Sequence, residues 1–180
     1  MGVINIHPSL LPKYRGPTPV QTAILNGEKT TGVSIMKLDD KIDHGPILGQ
    51  EKEEILETDT AESLYKKLFE KGANLLSKVL NKYIEGSLKA TAQNHKEATF
   101  TKPLSRQDGY VDLFSPSFKI ENLKLKIRAY HPWPGVWFKA KLNGSEKIVK
   151  LLPNYLKSQY PNDLFLIQVE GKKPVSHKDF

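Results

Sequence analysis

The sequence predicts an α/β protein of two units, and three observations support this prediction. Short runs of alternating apolar residues, typical of strands, accompany one long amphipathic helix in the first half. A polar stretch without periodicity interrupts the chain near its middle. An Asn-Gly turn between two further alternating runs predicts a β-hairpin in the second half. We therefore expect one domain over residues 1–86, a linker over residues 87–102 and a second domain over residues 103–180.

Three alternating runs supply the strands of the first domain. They cover residues 3–7, 32–38 and 47–55, and the third is the more exposed because it carries glutamates. A short helix is predicted over residues 20–26, and it ends at Gly27, in the position typical of a C-terminal helix cap.

One long helix completes the first domain. Asp59 and Glu62, three residues apart, resemble a capping box and would begin this helix. Leucines and Val79 recur at helical spacing as far as Ile84, and Gly86 ends the pattern. We expect this apolar stripe to face a core.

The second domain is predicted to combine one basic helix with a hairpin. The helix covers residues 120–129 and turns Ile120, Leu123 and Ile127 inward. The predicted strands cover residues 136–142, 147–152 and 164–169, the first two joined by Asn143 and Gly144.

Composition excludes several kinds of site. The chain has no cysteine, so disulfides, thiolate metal sites and cysteine nucleophiles are excluded. No apolar run approaches the roughly 20 residues that span a bilayer, and the first residues show no signal-peptide pattern. We therefore expect no membrane contact and a cytoplasmic location.

Charge is distributed unevenly along the chain. Residues 1–86 carry 11 Lys or Arg and 12 Asp or Glu, whereas residues 87–180 carry 16 and 8, a net charge of +8. A basic second half is expected of a protein that meets a polyanion such as a nucleic acid. A lysine-rich solvated surface is the plainer alternative.

Asn5 and His7 are the first candidates for chemistry. Residues two apart in a strand point to the same face, so these side chains lie together while Ile4 and Ile6 face a core. Pro8 then ends the strand. An amide can stabilise a carbonyl oxygen that gains negative charge, and an imidazole can exchange protons near pH 7. The alternative is a pair of polar residues satisfied by loop backbone.

Asp43 lies in a polar loop 36 residues after His7. A carboxylate beside an imidazole would hold one tautomer and raise the pKa of the ring. The alternative is that Asp43 caps the turn before Gly45. Three aspartates in this loop also suit a metal ion, but the sequence has no second ligand cluster, so we expect no metal.

A basic turn follows the first strand. It contains Lys13, Tyr14 and Arg15, which would form either an ordinary surface turn or a wall of the site facing an anionic substrate.

These motifs resemble a known family. The run Asn5-Ile6-His7-Pro8-Ser9-Leu10-Leu11-Pro12, together with Asp43, is similar to the motif of the folate-dependent formyltransferases. Several further segments resemble the branch that acts on methionyl-tRNA, and they are distributed over both halves of the chain. They are residues 15–21, 31–36, 100–106, 128–135 and 169–174.

The resemblance implies a fold and a reaction. The fold would be a partial Rossmann-like sheet followed by a small OB-like β-barrel. The reaction would move a formyl group from 10-formyltetrahydrofolate to the amino group of methionyl initiator tRNA. Asn5 would stabilise the oxyanion, His7 would manage protons, and Asp43 would orient His7 or relay through water.

Further contacts are expected from the same comparison and from the basic positions of the chain. Folate contacts are expected at Ser9, Leu10, Leu11, Pro12, Asp39, Asp40, Lys41 and Ile42. Contacts with tRNA are expected at Lys13, Arg15, Lys124, Lys126 and Arg128.

The chain also departs from the family pattern. The family's catalytic Asn lies far into the chain, whereas here it is residue 5. We therefore expect an N-terminally truncated member that lacks its first Rossmann half and either associates with that half or self-associates through an uncovered strand edge. Two rival functions stay open: formyl transfer to another amine, such as a sugar nucleotide, and tRNA binding without turnover.

Overall fold

The computed structural model describes residues 2–154 and 163–179. The chain divides into two compact units, Met1–Pro103 and Leu104–Phe180. Both contain an antiparallel sheet and at least one helix, so the described molecule is a mixed α/β structure. The predicted strands and helices are present, with ends that lie within two residues of the predicted ones.

The first unit is built on a three-stranded antiparallel sheet of order β1-β2-β3. Its strands are β1 (Ile4–His7), β2 (Thr30–Lys37) and β3 (Ile47–Glu54). Ile6 of β1 lies opposite Ile35 of β2, and His7 lies opposite Ser34. This register places the polar end of β1 beside a buried part of β2, because Ser34 and Ile35 are both fully buried.

Two helices accompany this sheet: α1 (Pro19–Leu25) and α2 (Ala61–Ile84). The predicted stripe of α2 is confirmed, since Leu64, Leu68 and Val79 are buried. Ile35, Leu48 and Val79 form a core cluster, against which Ile4 and Ile6 also pack. The inward orientation of the two isoleucines of β1 is therefore confirmed.

Gly72 lets α2 approach β1 closely. A Cβ at this position would lie 2.6 Å from Cγ2 of Ile6 and 3.0 Å from Cγ2 of Val33, both closer than ordinary contacts. A glycine inside a helix costs about 1 kcal/mol relative to alanine. Close packing against the strand that carries Asn5 and His7 accounts for its presence here.

The capping residues of α2 differ from the prediction. Thr60 is the N-cap: its hydroxyl accepts from the Ser63 amide, and the Ser63 hydroxyl accepts from the Thr60 amide. Asp59 and Glu62 do not form the box, because the buried Asp59 carboxylate accepts from the Leu56 amide and from Lys67. The capping box is thus shifted by one residue.

The predicted linker contains a segment bound to the first unit. Thr91 and Ile47 exchange two backbone hydrogen bonds of 2.8 Å, which extends the edge of β3. Farther on, Arg15 forms a parallel bridge with Phe100. Residues 91–101 therefore pack as part of the unit rather than as a free connection.

The second unit holds a four-stranded antiparallel sheet of order β4-β5-β6-β7. Its strands are β4 (Val136–Leu142), β5 (Ser145–Pro153), β6 (Phe165–Val169) and β7 (Val175–Ser176). The hairpin turn is confirmed: Asn143 and Gly144 both have positive φ. The short β7 was not predicted, because two residues give no readable alternation.

One helix, α3 (Ile120–Ala129), belongs to the second unit. Leu123 and Ile127 are buried as predicted, whereas Ile120 is 37% exposed. Ile120 is the first residue of the helix, where an amphipathic stripe meets the adjoining loop. Among the described residues, no helix is long and apolar enough to cross a membrane.

Candidate active site

β1 brings two polar side chains to one end of the first sheet. The packing of Ile4 and Ile6 into the core turns Asn5 and His7 toward the other face. His7 is 4% exposed, and Asn5 is half-buried. Within the part of the chain that the structure describes, the Asn5 side chain has no hydrogen-bond partner. Its amide is therefore available to a ligand.

The imidazole of His7 lies between two acceptors. Its Nε2 is 3.0 Å from the carbonyl oxygen of Tyr14, and its Nδ1 is 3.5 Å from Oδ1 of Asp43. A carbonyl oxygen only accepts, so Nε2 carries the hydrogen and donates it to Tyr14. In the neutral ring, Nδ1 then holds a lone pair that faces the carboxylate.

Opposing effects act on the protonation of His7. Burial lowers the pKa of His7 below its ordinary value, while the Asp43 charge and the Tyr14 carbonyl raise it. The burial effect is the largest, so the net pKa is lowered. His7 is therefore neutral near pH 7, with Nδ1 able to accept one proton beside an anionic partner.

Asp43 is held in place by the basic turn. Its Oδ2 accepts a hydrogen bond of 2.7 Å from the amide of Gly16, which leaves Oδ1 directed at His7. The backbone of Asp43 has a φ of 46°, in the left-handed region that non-glycine residues seldom adopt. Strained backbone of this kind is frequent at functional sites.

Tyr14 supplies the backbone carbonyl that fixes the tautomer of His7, and its φ is 61°. Its hydroxyl donates to Oε1 of Glu28 at 2.6 Å and accepts from the Asn26 side chain. Its amide donates to the Thr99 hydroxyl. Tyr14 is thus anchored at its ring and at its amide, which keeps its carbonyl on His7.

The loop of Ser9, Leu10, Leu11 and Pro12 is held by internal hydrogen bonds. The fully buried Ser9 donates from its hydroxyl to the Lys13 carbonyl at 2.6 Å. The Ser34 hydroxyl donates to the Ser9 carbonyl and accepts from the Leu11 amide. The Ser9 and Leu11 side chains are buried in the protein, so they shape the loop rather than project from it.

The second predicted folate segment is open to solvent. Asp39, Asp40, Lys41 and Ile42 are all exposed, Ile42 by 67% of its surface. Oδ2 of Asp39 lies 2.7 Å from Nδ1 of His44, and Oδ1 accepts from the Lys41 amide. This loop connects β2 to the segment that carries Asp43.

Arg15 occupies a different environment from the one its sequence context suggests. It is 3% exposed, its Nη2 lies 2.6 Å from Oε1 of Gln93 and 2.9 Å from Nδ1 of His95, and its guanidinium lies over the ring of Phe100. The expected contact of Arg15 with tRNA is not compatible with this burial. Lys13, by contrast, is exposed.

The basic residues of α3 divide between two faces. Lys124 and Arg128 are four residues apart and therefore share a face, whereas Lys126 lies about 200° around the helix from each of them. Lys124 is exposed, and Lys126 and Arg128 are half-buried.

Several residues of this site were not predicted to belong to it. Gln93, His44 and His95 contact Arg15 or the Asp43 loop. Gln93 lies 50 residues from Asp43 and 78 from Arg15 in the chain. Its neighbourhood is polar and without periodicity, so no local signal marks it. Across residues 2–154 and 163–179, no cluster of three or more His, Asp or Glu could hold a metal ion.

The site can be compared with known proteins. Residues 1–80 match the family described as formyl transferase. A methionyl-tRNA formyltransferase of Chloroflexus aurantiacus is 49% identical to this chain over 137 residues. Residues 1–80 therefore belong to the formyltransferase family. The alignment covers 76% of this chain and 43% of the Chloroflexus formyltransferase.

Two further formyltransferases extend the comparison. A methionyl-tRNA formyltransferase of Koribacter versatilis is 38% identical over 197 aligned residues, which cover 100% of this chain and 62% of that protein. A crystal structure of an N-formyltransferase from Helicobacter canadensis, in complex with folinic acid and dTDP-3-aminofucose, matches with a TM-score of 0.61 and 29% identity. That match covers 86% of this chain and 56% of the other. The chain thus spans about half the length of its relatives.

Proposed function

We propose that the first unit performs the chemical step of formyl transfer from 10-formyltetrahydrofolate to the α-amino group of methionyl initiator tRNA. One observation carries this proposal: the buried His7, paired with the half-buried Asp43, shares a strand face with an Asn5 amide that has no partner among the described residues. The methionyl-tRNA formyltransferases that align with this chain support the choice of acceptor.

The reaction is an acyl transfer between two nitrogens. The amine nitrogen of the methionyl group attacks the formyl carbon, and a C–N bond forms while the carbonyl oxygen takes up negative charge. The bond from that carbon to N10 of the folate then breaks, N10 gains a proton and the attacking amine loses one. The products are formylmethionyl-tRNA and tetrahydrofolate.

Asn5 has the properties needed to stabilise the charged intermediate. Its NH2 group donates without ionising, and an amide donor directed at an oxyanion contributes about 10²–10³ in rate. His7 and Asp43 serve the proton transfers. The proton lost by the amine is accepted at Nδ1 of His7, where the facing carboxylate of Asp43 stabilises the imidazolium.

Folate is proposed to bind along two loops. The exposed segment of residues 39–42 offers polar backbone groups to the pterin, and the rigid loop of residues 9–12 forms the opposite wall. The relative from Helicobacter canadensis with bound folinic acid supports a folate ligand. The folate-contacting residues of this chain are proposed from the position of the two loops beside Asp43 and His7.

Contacts with tRNA are proposed at basic residues that are exposed or half-buried. Lys13 lies in the loop next to the site, and Lys124 and Arg128 share one face of α3, with Lys126 on another. We further propose that the four-stranded antiparallel sheet of the second unit is part of a small OB-like β-barrel, as the family resemblance implies. A cytoplasmic location follows from the proposed acceptor.

The decisive experiment measures formylation of methionyl-tRNA by this chain in the presence of 10-formyltetrahydrofolate. His7→Ala and Asn5→Ala should each lower kcat by at least about 100-fold. His177→Ala and Asn74→Ala are matched controls at positions outside the site, and they should retain the rate of the unchanged chain. Equal rates for the His7 and His177 variants would refute the proposal.

The acceptor is tested in the same assay. The solved relative with bound dTDP-3-aminofucose makes an amino-sugar nucleotide the second candidate acceptor. The +8 net charge of residues 87–180 favours tRNA over this small anion. Turnover with the sugar nucleotide and none with methionyl-tRNA would show that the acceptor is an amino-sugar nucleotide. If the chain retains tRNA but formylates nothing at any folate concentration, its function is tRNA binding without turnover.

Association of this chain is a further part of the proposal. β1 is an edge strand of its sheet, and Val3 is 64% exposed. An unpaired edge of this kind invites another strand, either from a second copy or from a preceding segment. A purely monomeric mass at micromolar concentration would exclude self-association.

A further inference from the structure

We propose that Gln93 is a positioning residue for the candidate active site: its side-chain amide joins the Asp43 loop to Arg15 and so sets the geometry of the His7–Asp43 pair. This inference rests on the proposed function for its catalytic consequence.

The side chain of Gln93 uses its full hydrogen-bonding capacity. Nε2 donates to the carbonyl oxygens of Asp43 at 2.9 Å and Gly45 at 2.7 Å. Oε1 accepts from Nε of Arg15 at 3.2 Å and from Nη2 at 2.6 Å. The residue is 6% exposed, so water does not replace these partners easily. An amide is the side chain that can donate twice on one side and accept twice on the other.

The Asp43 loop needs this support. Asp43 has a φ of 46°, and a Cβ at Gly45 would lie 2.0 Å from the Lys37 carbonyl oxygen. The loop is therefore tightly folded against the end of β2 with its carbonyls directed toward Gln93. Without the two donors, these buried carbonyls lose their partners and the left-handed conformation loses its restraint.

The other end of the contact reaches the basic turn. Arg15 is fixed through its backbone: its amide donates to the Thr99 carbonyl at 2.9 Å, and its carbonyl accepts from the Thr101 amide at 2.7 Å. Gly16, the next residue, donates to Oδ2 of Asp43. The carboxylate of Asp43 is thus held from the turn, while its backbone is held from Gln93.

The stacked rings of His95 and His44 extend the hydrogen bonds of Arg15 toward the exposed loop of residues 39–42. Nη2 of Arg15 donates to Nδ1 of His95 at 2.9 Å, because a guanidinium only donates. The ring of His95 stacks on that of His44 with centroids 3.9 Å apart. His44 in turn pairs with Asp39 at 2.7 Å. Segment 91–101 therefore connects the loop that carries Asp43 with the turn that carries the Tyr14 carbonyl.

Displacement of Asp43 has a predictable effect on His7. The Asp43 charge raises the pKa of His7 against the effect of burial. A carboxylate that moves away weakens this opposition, so the pKa of His7 falls further. A residue that merely adds stability would lower the melting temperature without moving this titration.

The test combines histidine NMR titration with kinetics on the full chain. Gln93→Met removes both donors to the Asp43 loop and adds no charge near His7. We expect a lower pKa of His7 and a fall in kcat of about 10–100-fold, at an unchanged KM for methionyl-tRNA. Gln107→Met, at an exposed position of the second unit, is the matched control and should alter neither quantity.

A second variant keeps the test decisive if Gln93→Met does not fold. Arg15→Lys removes the guanidinium from Gln93 without changing the Asp43 loop itself, and it should lower the pKa of His7 in the same direction. An unchanged His7 titration in the folded variants would overturn the inference. The His7 titration needs no turnover. An inactive parent chain would therefore refute the proposed function, whereas the titration would still test the role of Gln93.

Discussion

Ser34→Ala is the substitution whose effect follows most directly from the structure. Ser34 lies on β2 and is fully buried. Its hydroxyl donates to the Ser9 carbonyl at 2.6 Å and accepts from the Leu11 amide at 3.1 Å and from Nε2 of Gln50 at 2.8 Å. Alanine keeps the strand but leaves the loop of residues 9–11 without this link to the sheet.

The magnitude follows from which groups lose their partners. The Leu11 amide is left as a buried donor without an acceptor, at a cost of about 1–3 kcal/mol. The Ser9 carbonyl loses one hydrogen bond, worth about 0.5–1.5 kcal/mol. Gln50 still donates to the Leu11 carbonyl at 2.9 Å, so it adds little. We expect the free energy of unfolding to fall by about 2–4 kcal/mol.

Urea denaturation followed by circular dichroism measures this change, with an unchanged m-value as the condition for comparison. Ser77→Ala is the matched control, since Ser77 is an exposed helical residue whose hydroxyl donates only to the Ala73 carbonyl. It should change stability by less than about 0.5 kcal/mol. A Ser34→Ala variant as stable as this control would show that the loop does not depend on the buried hydroxyl.

Three further predictions concern packing, acid stability and charge. Gly72→Ala should lower stability by about 1 kcal/mol, because the clash with Ile6 outweighs the gain in helix propensity; a more stable variant in the same urea assay would contradict this. Burial raises the pKa of Asp59, but its hydrogen bonds, chiefly from Lys67, lower it overall, so its contribution to stability is present above the ordinary pKa of about 3.9 and is lost as pH falls through the lowered value. Acid titration of Asp59→Asn should lack this loss, and an unchanged acid transition would count against it. Lys124→Ala should reduce the slope of log affinity for tRNA against log salt by about 1, and an unchanged slope in filter-binding measurements would remove Lys124 from the contact surface.

Local pattern was enough to predict most of the secondary structure. The alternation in residues 32–38 and 47–55 predicts β2 and β3. β3 has one more exposed face, whereas β2 is buried on both faces from Thr31 to Met36. The helix end at Ile84 follows from the glycine after it. The prediction places the α2 capping box one residue too early because Asp59 and Thr60 are both good N-cap residues. The Asp59 carboxylate instead accepts from the Leu56 amide and from Lys67.

The candidate site was less accessible to such reasoning. The strand periodicity shows that Asn5 and His7 share a face, but it does not bring Asp43 to them; the tertiary fold does so. Arginine is usually a surface residue, so the sequence gives no reason to expect Arg15 to be buried. Its burial depends on Gln93 and Phe100, which are distant in the chain. Polar residues without periodicity resemble a linker whether or not they are hydrogen-bonded to a domain. The sequence of residues 91–101 therefore does not predict their contacts with the first unit.

The return of segment 91–101 over the first unit has a practical consequence for dissecting the protein. A fragment that stops at Gly86, where the long helix closes, would omit Gln93 and Thr99 and so lose restraints on both the carboxylate and the tyrosine beside the imidazole. A fragment that extends to Pro103 would keep them. Limited proteolysis should therefore cut more readily after Pro103 than between Thr91 and Thr101, and the larger piece is the one to isolate for ligand studies.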